Sequence, residues 1–121
     1  MLWEPQEKKR YQFWSIRYYF PEPDPYGRTY EDKPMMLLHS NPDGSWVVAY
    51  ATSRFPKNYN PADDVEISSW KLCGLKQKTY VRCSKHINIP QSQFIKYVGF
   101  PAIGDLTKIK EILGVSTYPV P

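Results

Sequence analysis

The chain has few of the residues that build metal and redox centres. Two cysteines, Cys73 and Cys83, and two histidines, His39 and His86, stand in 121 residues. Neither pair has the spacing of a zinc motif, so the sequence predicts no metal site and no cofactor. Two reduced thiols suit a cytoplasmic protein. Long apolar runs are missing too, and no stretch reaches the length of a membrane span. The opening MLWEPQEKKR carries charge where a secretory leader needs an apolar run. A cytoplasmic protein without a membrane partner is the expectation.

Acid is missing from one part of the chain only. Between Lys71 and Lys110 eight bases face a single acid, Asp105, whereas between Glu22 and Glu66 the acids outnumber the bases. The net charge is +4, so the distribution rather than the total suggests a polyanion-binding surface. A solvated lysine-rich face is the alternative, because lysines alone bind charge and not sequence. Hydrophobic content of 41% over this length predicts one globular domain, 1–121, with a single core. Aromatic content of 16% serves either a sheet core or stacking platforms.

β signals dominate the chain. Phe13 to Phe20 alternates Trp14, Ile16, Tyr18 and Phe20 against Phe13, Ser15, Arg17 and Tyr19. Prolines at 21, 23, 25 and 34 predict a loop over 21–34, and Met35 to His39 reads as a short strand. Asn41-Pro-Asp-Gly44 is a turn joining it to a strand over Trp46 to Thr52. A second loop over 55–64 leads into Val65-Glu66-Ile67. One helical turn at Pro90 to Gln93 and a strand from Phe94 to Phe100 follow. Asp105 is expected to cap a helix with the stripe Leu106, Ile109 and Leu113, which Gly114 stops. Residues 1–12 and 115–121 read as tails. The fold class is mainly β, a small SH3-like antiparallel barrel with a C-terminal helix.

The stretch GLKQKTYVRCSKHINIPQSQFIKYVG, from Gly74 to Gly99, is the most informative. In T-Y-V-R-C-S, Thr79, Val81 and Cys83 share one face, and Tyr80, Arg82 and Ser84 share the other. The first face can pack into a core. The second offers a ring, a guanidinium and a hydroxyl, a surface suited to a phosphodiester and a base.

Four blocks carry a family resemblance: FWSIRYYF, DKPMMLL, VVAYATS, and GLKQKTYVR leading to FIKYVGFPAIGDLTKI. In that order, from Trp14 to Leu113, the chain resembles the MazF/PemK toxins of bacterial toxin–antitoxin systems. The resemblance implies the SH3-like barrel, a homodimer, and metal-independent cleavage of single-stranded RNA restrained by a cognate antitoxin. In that family an Arg before Pro and a Thr at the T-S strand end are implicated in catalysis. Some members use the Arg of the V-R strand with an acid two positions later. Carried over, Lys33 (before Pro34), Thr52 and Arg82 become the catalytic residues. Arg28, Ser53, Trp70, Lys76, Lys78, Tyr80, Ser84 and His86 become RNA contacts. Lys33 keeps the charge but loses the bidentate fork, a loss that Arg28 could make good. Ser84 cannot act as a carboxylate base.

Each of these residues also has a plainer reading. Arg82 can pair with a loop acid, and Thr52 can be a β-favouring residue across a hairpin. Trp70 and Tyr80 can complete a core or a dimer contact. His86 can be an exposed loop histidine, although it shares the Arg82 face if the strand persists. His39 fits a strand end. Two other functions stay open: a catalytically weak relative that binds RNA or protein, and an SH3-like module that binds a proline-rich peptide.

Overall fold

The computed structural model describes residues 7–114. The expectations for residues 1–6 and for the STYPVP tail lie outside the described residues. Six strands form one antiparallel sheet in the order β4-β5-β3-β2-β1-β6. They are β1 (Phe13–Tyr19), β2 (Tyr30–Ser40), β3 (Trp46–Thr52), β4 (Asp64–Glu66), β5 (Tyr80–Ile89) and β6 (Phe94–Gly99), followed by α1 (Ile103–Leu113). A 3₁₀ turn at Gln91–Gln93 joins β5 to β6. The mainly β fold with a C-terminal helix is the one expected from the sequence. No helix of the described residues is long and apolar enough to cross a membrane.

Both faces of the sheet are apolar, so Met35, Met36, Leu37 and Leu38 are all buried in succession. Phe13, Met36, Leu38, Ala49, Ala51, Val81 and Cys83 line one face, which Ile109 of α1 covers. Trp14, Ile16, Met35, Leu37, Val48 and Ile89 line the other. Each fully buried side chain of this size contributes roughly 1.5–3 kcal/mol. Thr79, Val81 and Cys83 are buried as the alternation requires.

The sheet has two edge strands, β4 and β6, and the chain between β4 and β5 backs onto β6. A Cβ at Gly99 would overlap the Cys73 carbonyl oxygen, and one at Gly74, whose φ is +82, would overlap the Val98 carbonyl oxygen. Only glycine permits this backbone approach. It draws the two ends of the sheet together in a barrel-like manner without strand pairing.

Four expectations need correction. The 21–34 loop ends early, because β2 begins at Tyr30 and pairs with β1 from Tyr19↔Tyr30 to Phe13↔Met36. Pro34 is tolerated there because β3 joins β2 only from Met36 onward, so one ladder alone runs past it. The N-terminal tail does not reach residue 12. Tyr11 donates its amide to Leu37, Leu37 donates to Gln12, and Tyr11 and Gln12 are both buried. The 55–64 loop gives up its last residue, since Asp64 pairs with Arg82 in β4. Asp105 is not the helix cap, a position that Ala102 occupies. Instead its buried carboxylate accepts from Ser68 Oγ, Ser69 Oγ and the Ser69 amide, tying α1 to the segment after β4. Gly114 ends the helix at φ 68, as expected.

Candidate functional site

Register places the polar groups. Tyr50 lies opposite Arg82, and Thr52 lies opposite Tyr80. Lys33 lies opposite Ile16, on the face that Tyr50 shares. Where β3 ends and β2 begins, this face opens into a cleft of about 830 Å³. Lys33, Thr52, Ser53, Arg28 and Lys76, all expected from the sequence, line it. Tyr50, Arg54, Lys96 and Tyr97 also line it, as do Asp24 and Glu31.

Lys33 is 8% exposed and donates from Nζ to Tyr50 Oη at 2.9 Å. The same ammonium lies 4.0 Å from the centre of the Tyr50 ring, and Lys85 Nζ lies 3.9 Å from it. Burial pushes the Lys33 pKa below its ordinary value. Glu31 opposes that shift and Arg54 adds to it. Such a cation is poorly hydrated, and an arriving phosphate would restore what burial removed.

Thr52 Oγ1 accepts from the Arg54 amide at 3.2 Å, a local turn that fixes the hydroxyl at the strand end. A hydroxyl that already accepts keeps its own proton to donate. Arg28 is held within its own loop. Its Nε donates to Asp24 Oδ2 at 2.6 Å, while Asp24 Oδ1 accepts from the Tyr26 and Arg28 amides. Arg54, by contrast, is exposed at the mouth of the cleft. Tyr50 and Arg54 had a signal in the sequence: Tyr50 precedes Thr52 by one strand period, and Arg54 directly follows the T-S pair.

The remaining expected residues stand elsewhere. Arg82 is outside the cleft lining, with Nε 3.1 Å from Oδ1 of buried Asp64 and Nη2 3.4 Å from the Asn58 carbonyl. The guanidinium is thus committed to a structural pair. Tyr80 is 7% exposed, with Phe55 and Tyr59 edge-on to its ring at 5.5 and 6.2 Å, so it has no free face. Lys78 pairs with Glu66 at 3.6 Å. Trp70 packs against the helix-covered core, with Lys71 over its ring at 5.3 Å. Ser84 is exposed. His86 is exposed too, its Nε2 2.7 Å from the Cys83 carbonyl. Register jumps from Tyr50↔Arg82 to Ala49↔His86, so Cys83–Lys85 bulge and counting by twos from Arg82 to His86 fails.

No family model and no curated protein matches the chain. Solved structures do. The chain is similar to an endoribonuclease in complex with its cognate antitoxin from mycobacterial species, at 18% identity and TM-score 0.63, over 95% of this chain and 100% of that one. It is similar to the Mycobacterium tuberculosis toxin MazF-mt6 at 16% identity and TM-score 0.59, over 85% of this chain and 92% of that one. An endoribonuclease from mycobacterial species aligns at 17% identity and TM-score 0.59, over 97% of this chain and 98% of that one. The sheet order, the C-terminal helix and these superpositions together establish that the chain has the MazF-type toxin fold.

Proposed function

We propose that the chain is a cytoplasmic, metal-independent endoribonuclease toxin that cuts single-stranded RNA in this cleft and is neutralised by a cognate antitoxin. The observation that carries the reading is the convergence of Lys33, Thr52 and Arg54 in one cleft of a fold shared with endoribonuclease toxins. Cleavage joins the 2′-oxygen to phosphorus and breaks the bond to the 5′-oxygen, leaving a 2′,3′-cyclic phosphate and a 5′-hydroxyl, so the proton lost by the 2′-hydroxyl is balanced by the one the 5′-oxygen takes up. Negative charge gathers on the non-bridging oxygens, where the Lys33 ammonium and the Arg54 guanidinium stabilise it. Thr52 donates a hydrogen bond to one of those oxygens. Arg82 supports the site from beside the cleft by holding β4 to β5. Exposed Leu72, Phe100 and Ile103 support a homodimer. An acidic antitoxin segment suits the excess of bases around the cleft.

A second reading, a catalytically weak relative that binds without cutting, is favoured by lysine instead of arginine at position 33 and by the missing carboxylate at position 84. Incubating a long single-stranded RNA in EDTA with wild type and Thr52→Val decides between them. Restricted cuts ending in cyclic phosphate, lost in the variant, support the toxin. Salt-sensitive binding without cuts supports the weak relative, and neither cutting nor binding leaves a peptide-binding module.

A further inference from the structure

The loop after β3 leaves the cleft carrying an aromatic pair that catalysis as proposed does not use. Phe55 and Tyr59 stack with ring centres 4.8 Å apart and planes 27° from parallel, and both meet the buried Tyr80 edge-on. Tyr59 is half-buried, whereas Phe55 leaves 65% of its surface in water. The stack beneath Phe55 fixes the plane of its ring, so little side-chain freedom is left to lose when something settles on it.

Two strands lead from the cleft to this platform. Thr52 and Arg54 line the cleft one to three residues before Phe55, and Thr79 lines it one residue before Tyr80, which pairs with Thr52. A chain of three residues spans at most about 10 Å, so the platform borders the site of cleavage. The neighbours Arg54 and Lys57 are exposed cations, and acids enter only from Asp63 onward.

We propose that Phe55, backed by Tyr59, is a stacking subsite for a nucleobase of single-stranded RNA flanking the scissile phosphate. The inference rests on the RNA-cutting reading of the cleft and adds the element that grips a base rather than a phosphate. Stacking accepts any base face, so the subsite adds affinity with mild preference and leaves sequence discrimination to polar groups.

The test is fluorescence anisotropy of the full chain with a mixed-sequence, single-stranded 2′-O-methyl RNA, which cannot be cut because its nucleophile is blocked. Phe55→Ala and Phe55→Leu are expected to bind about tenfold more weakly, and Phe55→Trp as well as wild type. The slope of affinity against salt should stay that of wild type, because no phosphate contact is lost. Unchanged or unmeasurable affinity in wild type and variants overturns the subsite. So does a loss that Phe55→Leu escapes, which would make the residue apolar packing or a peptide contact. Cleavage of unmodified RNA by wild type, run alongside, reports on the toxin reading separately, so a failure of the subsite is distinguishable from a failure of the reading on which it rests.

Discussion

The Lys33 ammonium and the Tyr50 hydroxyl are 2.9 Å apart, joined in a part-buried contact between β2 and β3 in which Lys33 itself is 8% exposed. Burying a charge against a neutral phenol is costly, and the lowered pKa of Lys33 is the expression of that cost. Replacement by Met should therefore stabilise the fold by about 1 kcal/mol in chemical denaturation while abolishing cleavage. The penalty is fully present below the folded pKa and vanishes as pH rises to the unfolded value of 10.5, so the gap between Lys33→Met and wild type narrows in alkali. Lys33→Arg should keep cleavage. A Met variant that is less stable than wild type would show that the ammonium is satisfied where it lies.

Arg82 and Asp64 make the opposite case, a pair whose role is structural. Asp64 is 3% exposed and, among the described residues, keeps only the Asn60 amide if the guanidinium is removed. Arg82→Ala should cost about 2–3 kcal/mol, with Arg82→Lys in between. Below the melting temperature, cleavage per folded molecule should remain near that of wild type. Lost cleavage with intact stability would place the guanidinium on RNA.

Asp105 predicts an acid-sensitive helix. Its burial opposes ionisation, but hydrogen bonds from Ser69 and Ser68 outweigh that and hold its pKa below 3.8. The stabilisation is present above the unfolded pKa and is lost as pH falls through the folded one. Asp105→Asn should cost about 1–2 kcal/mol at neutral pH, and the difference from wild type should shrink in acid. Denaturation curves at pH 7 and below the ordinary carboxylate range check this.

The thiols should be silent in the folded protein. Cys73 and Cys83 are free and almost fully buried, and burial, with Asp64 and Asp63 adding to it, pushes the Cys83 pKa up to about 12. A thiol reagent at neutral pH should label neither residue until denaturant is added. Rapid labelling of Cys83 in the native state would mean that β5 opens on the timescale of the reaction.

The elements that could be read from the sequence are those whose pattern is local. β3 runs from Trp46 to Thr52 as expected because its alternation, and the turn before it, lie within the segment. The beginning of β2 was hidden, since the pairing of residues 30–34 depends on β1 lying alongside and the prolines argued against it. In the candidate site, Lys33 and Thr52 were legible through family order, and the cleft does bring them together. Arg82 and Tyr80 were placed on the right face, but alternation says nothing of what covers a face. Asp64 and the Phe55–Tyr59 stack arrive from a loop whose path no periodicity encodes. The face of His86 is set by a bulge, which has no reliable mark in residue types.

The two glycine contacts, Gly99 on the Cys73 carbonyl and Gly74 on the Val98 carbonyl, make the breadth of the cleft a property of the main chain. Lys96, Tyr97 and Val98 form one wall of it, and Leu75 and Lys76 another. Where those walls meet, peptide rests on peptide, with no side chain between them to enlarge or trim. In the proposed RNA groove, charge substitutions can change the grip, whereas a side chain added at Gly74 or Gly99 would push the two walls apart at their junction.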